Sequence, residues 1–441
     1  MTSQRICVIG LWHQGIVGAA CLADFGYGVI AADHDAKKIA ALKHGKAPIY
    51  EPGLDDLIER NLSLGRLTFT DDVAGAVRGI RDVWLMFDTP VNERDESDLT
   101  GIFATIREIA PCLESEVIIF VTAQVPVGTC DGIGDVLRGC RPGLKFSVAY
   151  MPENLRLGQA LERFKSPPLP VIGSDDAATL DRLERLLGPF NAKWERVSLR
   201  TAEMTKHALN GFLGVSISFA NELGNLCDEV GADGHRLAEI LRLEPRIGPK
   251  AMLFPGLGFS GGTLARDLQT LRMLGNQHHV DTPMLDGVWI SNQAQNDMVV
   301  RRLKGLFSNK LNGRRIAVLG LTYKPDTSTL RRSAALEVID GLVRAGANVS
   351  ASDPRADPSE LQAFTAFKFF EDPYDAVEGA DALVLMTPWK QYKDLDFEDI
   401  KTRMRRPVVF DTANMWSAGD LIQRGIEYLD IGRGRKTEKV K

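Results

Sequence analysis

The sequence has little of what exported, metal-bound or nucleic-acid-coating proteins rely on. Its six cysteines, at 7, 21, 112, 130, 140 and 227, form no CxxC pair and lie in apolar or helical contexts. That argues against a disulfide scaffold and against a zinc ribbon, and a reducing compartment is expected. Histidines at 13, 34, 44, 207, 235, 278 and 279 show no metal spacing except the adjacent last pair, read as loop residues, so no metal is expected. No stretch approaches ~18 uninterrupted apolar residues, and no membrane span is expected. Positive charge is not in excess either: 53 Lys and Arg against 58 Asp and Glu leave a net charge of −5. No overall field is present to hold nucleic acid or an anionic membrane. A strand-like run, Arg5 to Ile9, begins almost at once and leaves no room for a leader segment, so a cytoplasmic protein is expected.

What is present is the balance of a large globular protein. The 441 residues are 44% apolar and 25% charged, enough for two or three domains. The first thirty-five residues read as strand, glycine turn, helix and strand ending in Asp33, a βαβ unit. Strand-like runs at 83–87, 117–121 and 146–150 continue the rhythm of a doubly wound parallel sheet. From Thr201 to about Val230 apolar residues recur at helical spacing without a proline, which predicts one long helix with a stripe wide enough for a second subunit, hence a homodimer. A helical stretch follows at 284–308. The pattern then restarts with the strand 314–320, the helix 333–345 and a strand ending in Asp353, extended by runs at 382–386 and 407–411. The expected fold class is α/β: two Rossmann-like doubly wound parallel-sheet domains, 1–195 and 309–441, joined by a central all-helical domain, 196–308, with a long helix.

Gly10-Leu-Trp-His-Gln-Gly15, between strand and helix, occupies the place of a dinucleotide fingerprint, and Asp33 stands where a ribose-binding carboxylate sits. The middle glycine, which normally lets the backbone approach a pyrophosphate, is Trp12. Read alone, the motif leaves open a Rossmann layer without cofactor. Asp33 favours NAD over NADP, because a carboxylate repels a 2′-phosphate.

Nine further segments decide more: Glu51-Pro-Gly-Leu54, Thr89-Pro90, Val125-Pro-Val-Gly-Thr129, Pro152-Glu153, Thr201-Ala-Glu-Met-Thr-Lys206, Asn210, Arg246-Ile-Gly248, Gly258-Phe-Ser-Gly-Gly-Thr-Leu-Ala-Arg-Asp267 and Gly320-Leu-Thr-Tyr-Lys-Pro325. In order and spacing the chain resembles the UDP-glucose/GDP-mannose dehydrogenase family. The resemblance implies an N-terminal NAD-binding domain, a C-terminal nucleotide-sugar-binding domain, and two-step oxidation of a C6 alcohol to a carboxylate, with a UDP-hexose as substrate. By the same resemblance Gly10, Trp12, Gly15, Asp33, Thr89 and Gln124 are cofactor-binding. Lys206 and Asn210, one helical turn apart, steady the reacting oxygen, Asp267 works with them on a proton or a water, and Glu153 supports hydrolysis or the sugar. Arg246, Phe259, Gly261, Lys324 and Arg331 fall at substrate positions. Taken singly, these are also a helix lysine, a cap asparagine, two solvated acids and a helix-terminal cation. Backbone N–H groups of the glycine run 256–262 are expected to meet sugar or phosphate, or to form only a tight turn.

The family's chemistry uses a cysteine to trap the aldehyde, in a segment resembling Gly-Phe-Gly-Gly-Ser-Cys-Leu-Pro-Lys-Asp; here Thr263 stands in that place. A Thr hydroxyl is far less acidic than a thiol, with its unperturbed pKa of ~8.5, so covalent capture is expected to be impaired while hydride removal from the alcohol survives. Gln124 replaces a small hydroxyl residue, Leu157 an acid, Ser328 and Thr329 two acids, and Ala413 an arginine. Two alternatives stand beside the leading reading: a sugar-nucleotide dehydrogenase that stops at an aldehyde or ketone, and a non-catalytic nucleotide-sugar-binding relative.

Overall fold

A computed structural model of the chain describes residues 4–92, 96–259, 263–328, 330 and 333–434. By packing it divides into two compact units, Met1–Leu209 and Asn210–Lys441.

The first unit is built on eight strands: β1 (Arg5–Ile9), β2 (Gly28–Ala32), β3 (Leu67–Thr70), β4 (Asp82–Leu85), β5 (Val117–Val121), β6 (Phe146–Tyr150), β7 (Val171–Gly173) and β8 (Glu195–Val197). Their order is β3-β2-β1-β4-β5-β6-β7-β8. The central strands are apolar on both faces, as a sheet covered by helices on both sides requires. One face packs Ile6, Val8, Trp84 and Phe120 under the helix His13–Asp24; the other packs Cys7, Ile9, Val83 and Ile119 under the helices Thr100–Ile109 and Thr129–Cys140. The sheet is parallel as expected except at one junction, where β6 meets β7 antiparallel through Tyr150 and Gly173.

The second unit carries six strands: β9 (Arg315–Leu319), β10 (Asn348–Ser352), β11 (Lys368–Phe369), β12 (Ala382–Leu385), β13 (Val408–Asp411) and β14 (Glu427–Leu429), all parallel, in the order β11-β10-β9-β12-β13-β14. This repeats the first six strands of the other sheet, so the restart expected at 314 is an architectural repeat. In each, the strand order reverses beside the first strand, at the carboxyl end where open α/β sheets bind ligands. The repeat extends to hydrogen bonds: Leu11 N–H donates to Asp33 Oδ2 at 2.7 Å, and Leu321 N–H donates to Asp353 Oδ2 at 2.7 Å. Asp353, however, is sealed, because the Thr322 N–H and the Trp389 indole N–H, both at 3.0 Å, donate to the same oxygen.

The long helix forms as predicted, over Leu199–Val230. The stretch 284–308 does not form one helix: Pro283–Asn296 and Met298–Leu306 are separate, and Asp297 closes the first while opening the second. Asn and Asp in succession are poor helix formers that favour ends. Among the described residues no helix is long and apolar enough to cross a membrane.

Candidate active site

The glycine turn after β1 has the stereochemistry a dinucleotide needs. Gly10 takes φ +93°, open to glycine at no steric cost, and a Cβ on Gly15 would lie 1.6 Å from the Gly10 carbonyl oxygen. The helix His13–Asp24 therefore starts as close to the turn as backbone allows. Its first N–H groups have no side-chain cap and no acidic residue in the first turn, which leaves them and the helix dipole for an anion. Trp12 is accommodated at the N-cap with φ −91°, and its side chain is turned out, 46% exposed, instead of filling the turn. These residues fit NAD.

Asp33 follows β2. Its Oδ2 accepts from the Leu11 N–H and, at 2.8 Å, from Lys38 Nζ, and its Oδ1 accepts from the Asp35 N–H at 3.0 Å. Burial pushes the carboxyl up, but the hydrogen bonds from Lys38, Asp35 and Leu11 outweigh it and hold Asp33 below the usual carboxylate range. Asp33 is thus ionised at neutral pH, and the stability it contributes is lost only as pH falls from the ordinary ~3.9 through its lower folded-state value. Thr89, beyond β4, and Gln124, beyond β5, are both buried near the carboxyl ends of their strands. The loop after Gln124 is held by His207, whose Nε2 lies 2.9 Å from the Val125 carbonyl oxygen.

Lys206 is buried on the long helix, and its Nζ donates to Asn154 Oδ1 at 3.1 Å. Glu153, next to that asparagine, accepts from the Leu155 N–H in its own loop. The loop is anchored by Glu51 of the Glu-Pro-Gly-Leu segment, whose two carboxylate oxygens accept from the Gly158 N–H at 2.9 Å and the Ala160 N–H at 2.7 Å.

In the second unit Asn210 and Asp267 are buried and hydrogen-bonded, with Asn210 Nδ2 donating to Asp267 Oδ2. Asp267 lies in the first turn of the helix Leu264–Gln277, whose N-cap is Thr263. Thr263 is exposed and makes no side-chain cap bond, so its hydroxyl stands at a helix N-terminus. Four of the six cysteines are the opposite of activated thiols. Burial pushes Cys7 and Cys21 up to about 12, Cys130 well above the ordinary thiol value, and Cys227 upward.

Phe259 is buried against Leu268 and Val288. Of the glycine-run N–H groups, that of Gly256 is taken by Asn221 Oδ1 at 2.8 Å and that of Phe259 by Asn292 Oδ1 at 2.7 Å, so these two are not free for sugar or phosphate. Arg246 is on the surface, with Nε donating to Glu244 Oε1 at 2.8 Å. Lys324 lies beyond β9 with its ammonium 5.4 Å from the centroid of the Tyr323 ring. Gly261, Arg331 and Thr329 lie outside the described residues.

The partners that fix these groups had no motif to mark them. Lys38 sits five residues after Asp33, a spacing that a helix starting at Ala36 turns back toward β2. Asn154 adjoins the Pro-Glu pair, and Gln14, inside the glycine turn, donates to the Thr122 carbonyl at 2.9 Å and hydroxyl at 2.7 Å.

Residues 4–191 match the NAD binding domain of the UDP-glucose/GDP-mannose dehydrogenase family, 200–294 its central domain, and 317–418 its UDP binding domain. The chain is 35% identical over 436 residues to the UDP-glucose 6-dehydrogenase of Rhizobium meliloti, covering 98% of this chain and 100% of that one. It is 34% identical over 445 residues to that of Pseudomonas aeruginosa, with 98% of each covered. Its structure resembles that of a UDP-glucose dehydrogenase from Pyrobaculum islandicum with a TM-score of 0.88 at 30% identity, over 98% of both chains. Two Rossmann-like sheets, a central helical segment and matches along nearly the whole length place it: the chain belongs to the UDP-glucose/GDP-mannose dehydrogenase family.

Proposed function

We propose that this chain is an NAD-dependent nucleotide-sugar dehydrogenase of the UDP-glucose 6-dehydrogenase type that oxidises a primary alcohol to an aldehyde and proceeds to the uronate without efficient covalent capture. The observation that carries the proposal is Thr263, with its hydroxyl uncapped at a helix N-terminus, beside a retained and buried Asn210–Asp267 pair. NAD, when bound, accepts the hydride. Gly10, Gly15 and the first N–H groups of the helix His13–Asp24 hold its pyrophosphate, Asp33 its ribose, and Trp12, Thr89 and Gln124 border it. Lys206 donates to the substrate oxygen as charge develops there. Asn210 orients the Asp267 carboxylate, which takes the hydroxyl proton or positions a water. Glu153 supports the sugar, as do Arg246, Phe259 and Gly261, while Lys324 and Arg331 meet the nucleotide phosphates.

Removal of the first hydride turns the alcohol into an aldehyde and releases one proton. Water then adds to the aldehyde, and the resulting gem-diol is again an alcohol-like hydride donor. Loss of the second hydride and its proton leaves the carboxylic acid. Neither step requires sulphur, but the second depends on hydration in place of thiohemiacetal formation. The curated relatives, which are UDP-glucose 6-dehydrogenases, favour neither a non-catalytic relative nor an enzyme confined to the aldehyde.

We further propose domain limits of 1–195, 196–308 and 309–441, a cytoplasmic location, and a homodimer. Support for the dimer is the row of exposed Phe212, Phe219, Leu226 and Val230 along the long helix, an apolar stripe too large to stay in water.

Screening UDP-, GDP- and dTDP-sugars for NADH formation is expected to single out UDP-glucose or a close UDP-hexose; no NADH from any of them would overturn the reading. Gly15→Ala is expected to weaken NAD binding by about tenfold or more, because a Cβ meeting backbone at 1.6 Å forces the helix off the turn and overpacking costs ~1–3 kcal/mol. Calorimetric titration with NAD measures this, and unchanged affinity would show that the turn does not hold the cofactor.

A further inference from the structure

The segment leading to Thr263 is held by side-chain amides. Residues 256–259 belong to no strand or helix; Gly256 and Leu257 are half-buried and Gly258 and Phe259 buried, so their backbone groups need partners from other elements. Asn221, on the long helix, accepts from the Gly256 N–H at 2.8 Å and donates to the Leu257 carbonyl at 3.1 Å. Gln295 donates to the Gly256 carbonyl at 2.6 Å and is itself oriented by Asn225, whose Nδ2 lies 2.9 Å from Gln295 Oε1. Asn292 holds a single residue from both sides: Oδ1 accepts from the Phe259 N–H at 2.7 Å and Nδ2 donates to the Phe259 carbonyl at 3.0 Å. One carboxamide thus satisfies both backbone groups of one residue, as a neighbouring strand would. A Cβ on Gly258 would come 2.8 Å from Asn292 Oδ1 and 2.3 Å from Asn296 Oδ1, so the approach is as close as glycine permits.

Both ends of the segment around Thr263 are therefore tied through amides, upstream at Phe259 by Asn292 and downstream at Asp267 by Asn210. We propose that Asn292 is a positioning residue for the nucleotide-sugar site: by clamping Phe259 it fixes the backbone four residues before Thr263. This rests on the functional reading above. Among the described residues both hydrogen bonds of Asn292 go to the Phe259 backbone, and it acts through that residue.

Asn292→Asp tests it with little change in shape. As a carboxylate, one oxygen still accepts from the Phe259 N–H, but the other opposes the Phe259 carbonyl, acceptor against acceptor. As a carboxylic acid, its O–H replaces the lost donor and the clamp closes again; burial among acceptors raises the pH at which this happens. The expected result is a KM for UDP-sugar about tenfold or more above wild type at pH 8.5, closing to about twofold at pH 5.5, with NAD affinity by calorimetry unchanged at both. Glu337, reached through Asn296 one turn along the helix and pushed above the usual carboxylate range by burial, is common to both proteins and cancels when each pH is referred to wild type. Asn292→Gln, which keeps both hydrogen-bonding groups but advances them by one methylene, is expected to raise the same KM with no pH dependence. An active wild type whose N292D variant follows it at both pH values, or is impaired equally at both, overturns the inference alone, as does N292Q with a wild-type KM. A wild type inert toward every sugar nucleotide overturns the functional reading and this inference with it.

Discussion

Lys206→Ala is expected to lower turnover by about 10²–10⁴-fold while NAD affinity stays within about twofold of wild type. Lysine is rarely buried without a partner, because its charge is costly to remove from water. Here the ammonium is buried and donates to the neutral oxygen of Asn154 at 3.1 Å, a contact that uses one of its three N–H groups. Alanine keeps the helix, since it is the best helix former, and removes only the donor. Steady-state NADH formation gives turnover and calorimetry gives NAD affinity. Unchanged turnover would reduce Lys206 to a structural lysine tying the long helix to the loop at 154.

Thr263→Cys is expected to act in the opposite direction, raising the rate of uronate formation by about tenfold or more while leaving first-hydride removal near its wild-type rate. Residue 263 is the N-cap of the helix Leu264–Gln277 and is exposed. A thiol at a helix N-terminus has its pKa lowered from ~8.5, so the introduced cysteine gains thiolate character where Thr cannot ionise. A thiolate that adds to the aldehyde makes a thiohemiacetal; loss of its hydride gives a thioester, which water cleaves to acid and free thiol. Product analysis by mass during a single turnover follows each species. Identical time courses for T263C and wild type would show that position 263 no longer supports covalent chemistry.

The two sheets were legible because their signals are local. Continuous apolar runs such as Val117–Val121, the glycine turns at Gly10 and Gly320, and the acids Asp33 and Asp353 at the ends of second strands each lie within one βαβ unit. The long helix needed only the absence of proline and a repeat of apolar residues. Short edge strands such as Lys368–Phe369 carry too few residues for an alternating pattern to register. The break at Asp297 depends on a single junction inside an otherwise helical stretch.

The site was legible in its motif residues and opaque in what holds them. Asp33 and Asp267 could be placed by position, but Lys38, Asn154 and Asn292 are fixed only by how distant segments meet. The charge on Asp33 gives the same lesson: its environment, not its identity, keeps it ionised. The Gly256 and Phe259 N–H groups, which the glycine run left open to a ligand or to a tight turn, are bonded to helix amides that no spacing rule connects with them.

An oxygen at residue 263 separates the two oxidations by removing covalent capture from between them. The most direct measurement is NADH formed per molecule of UDP-sugar consumed, with a carbonyl-trapping hydroxylamine present and the products weighed by mass. One NADH per sugar, with the sugar recovered as the oxime of its aldehyde, is the predicted result; two NADH per sugar with uronate as the product, undiminished by the trap, would contradict it.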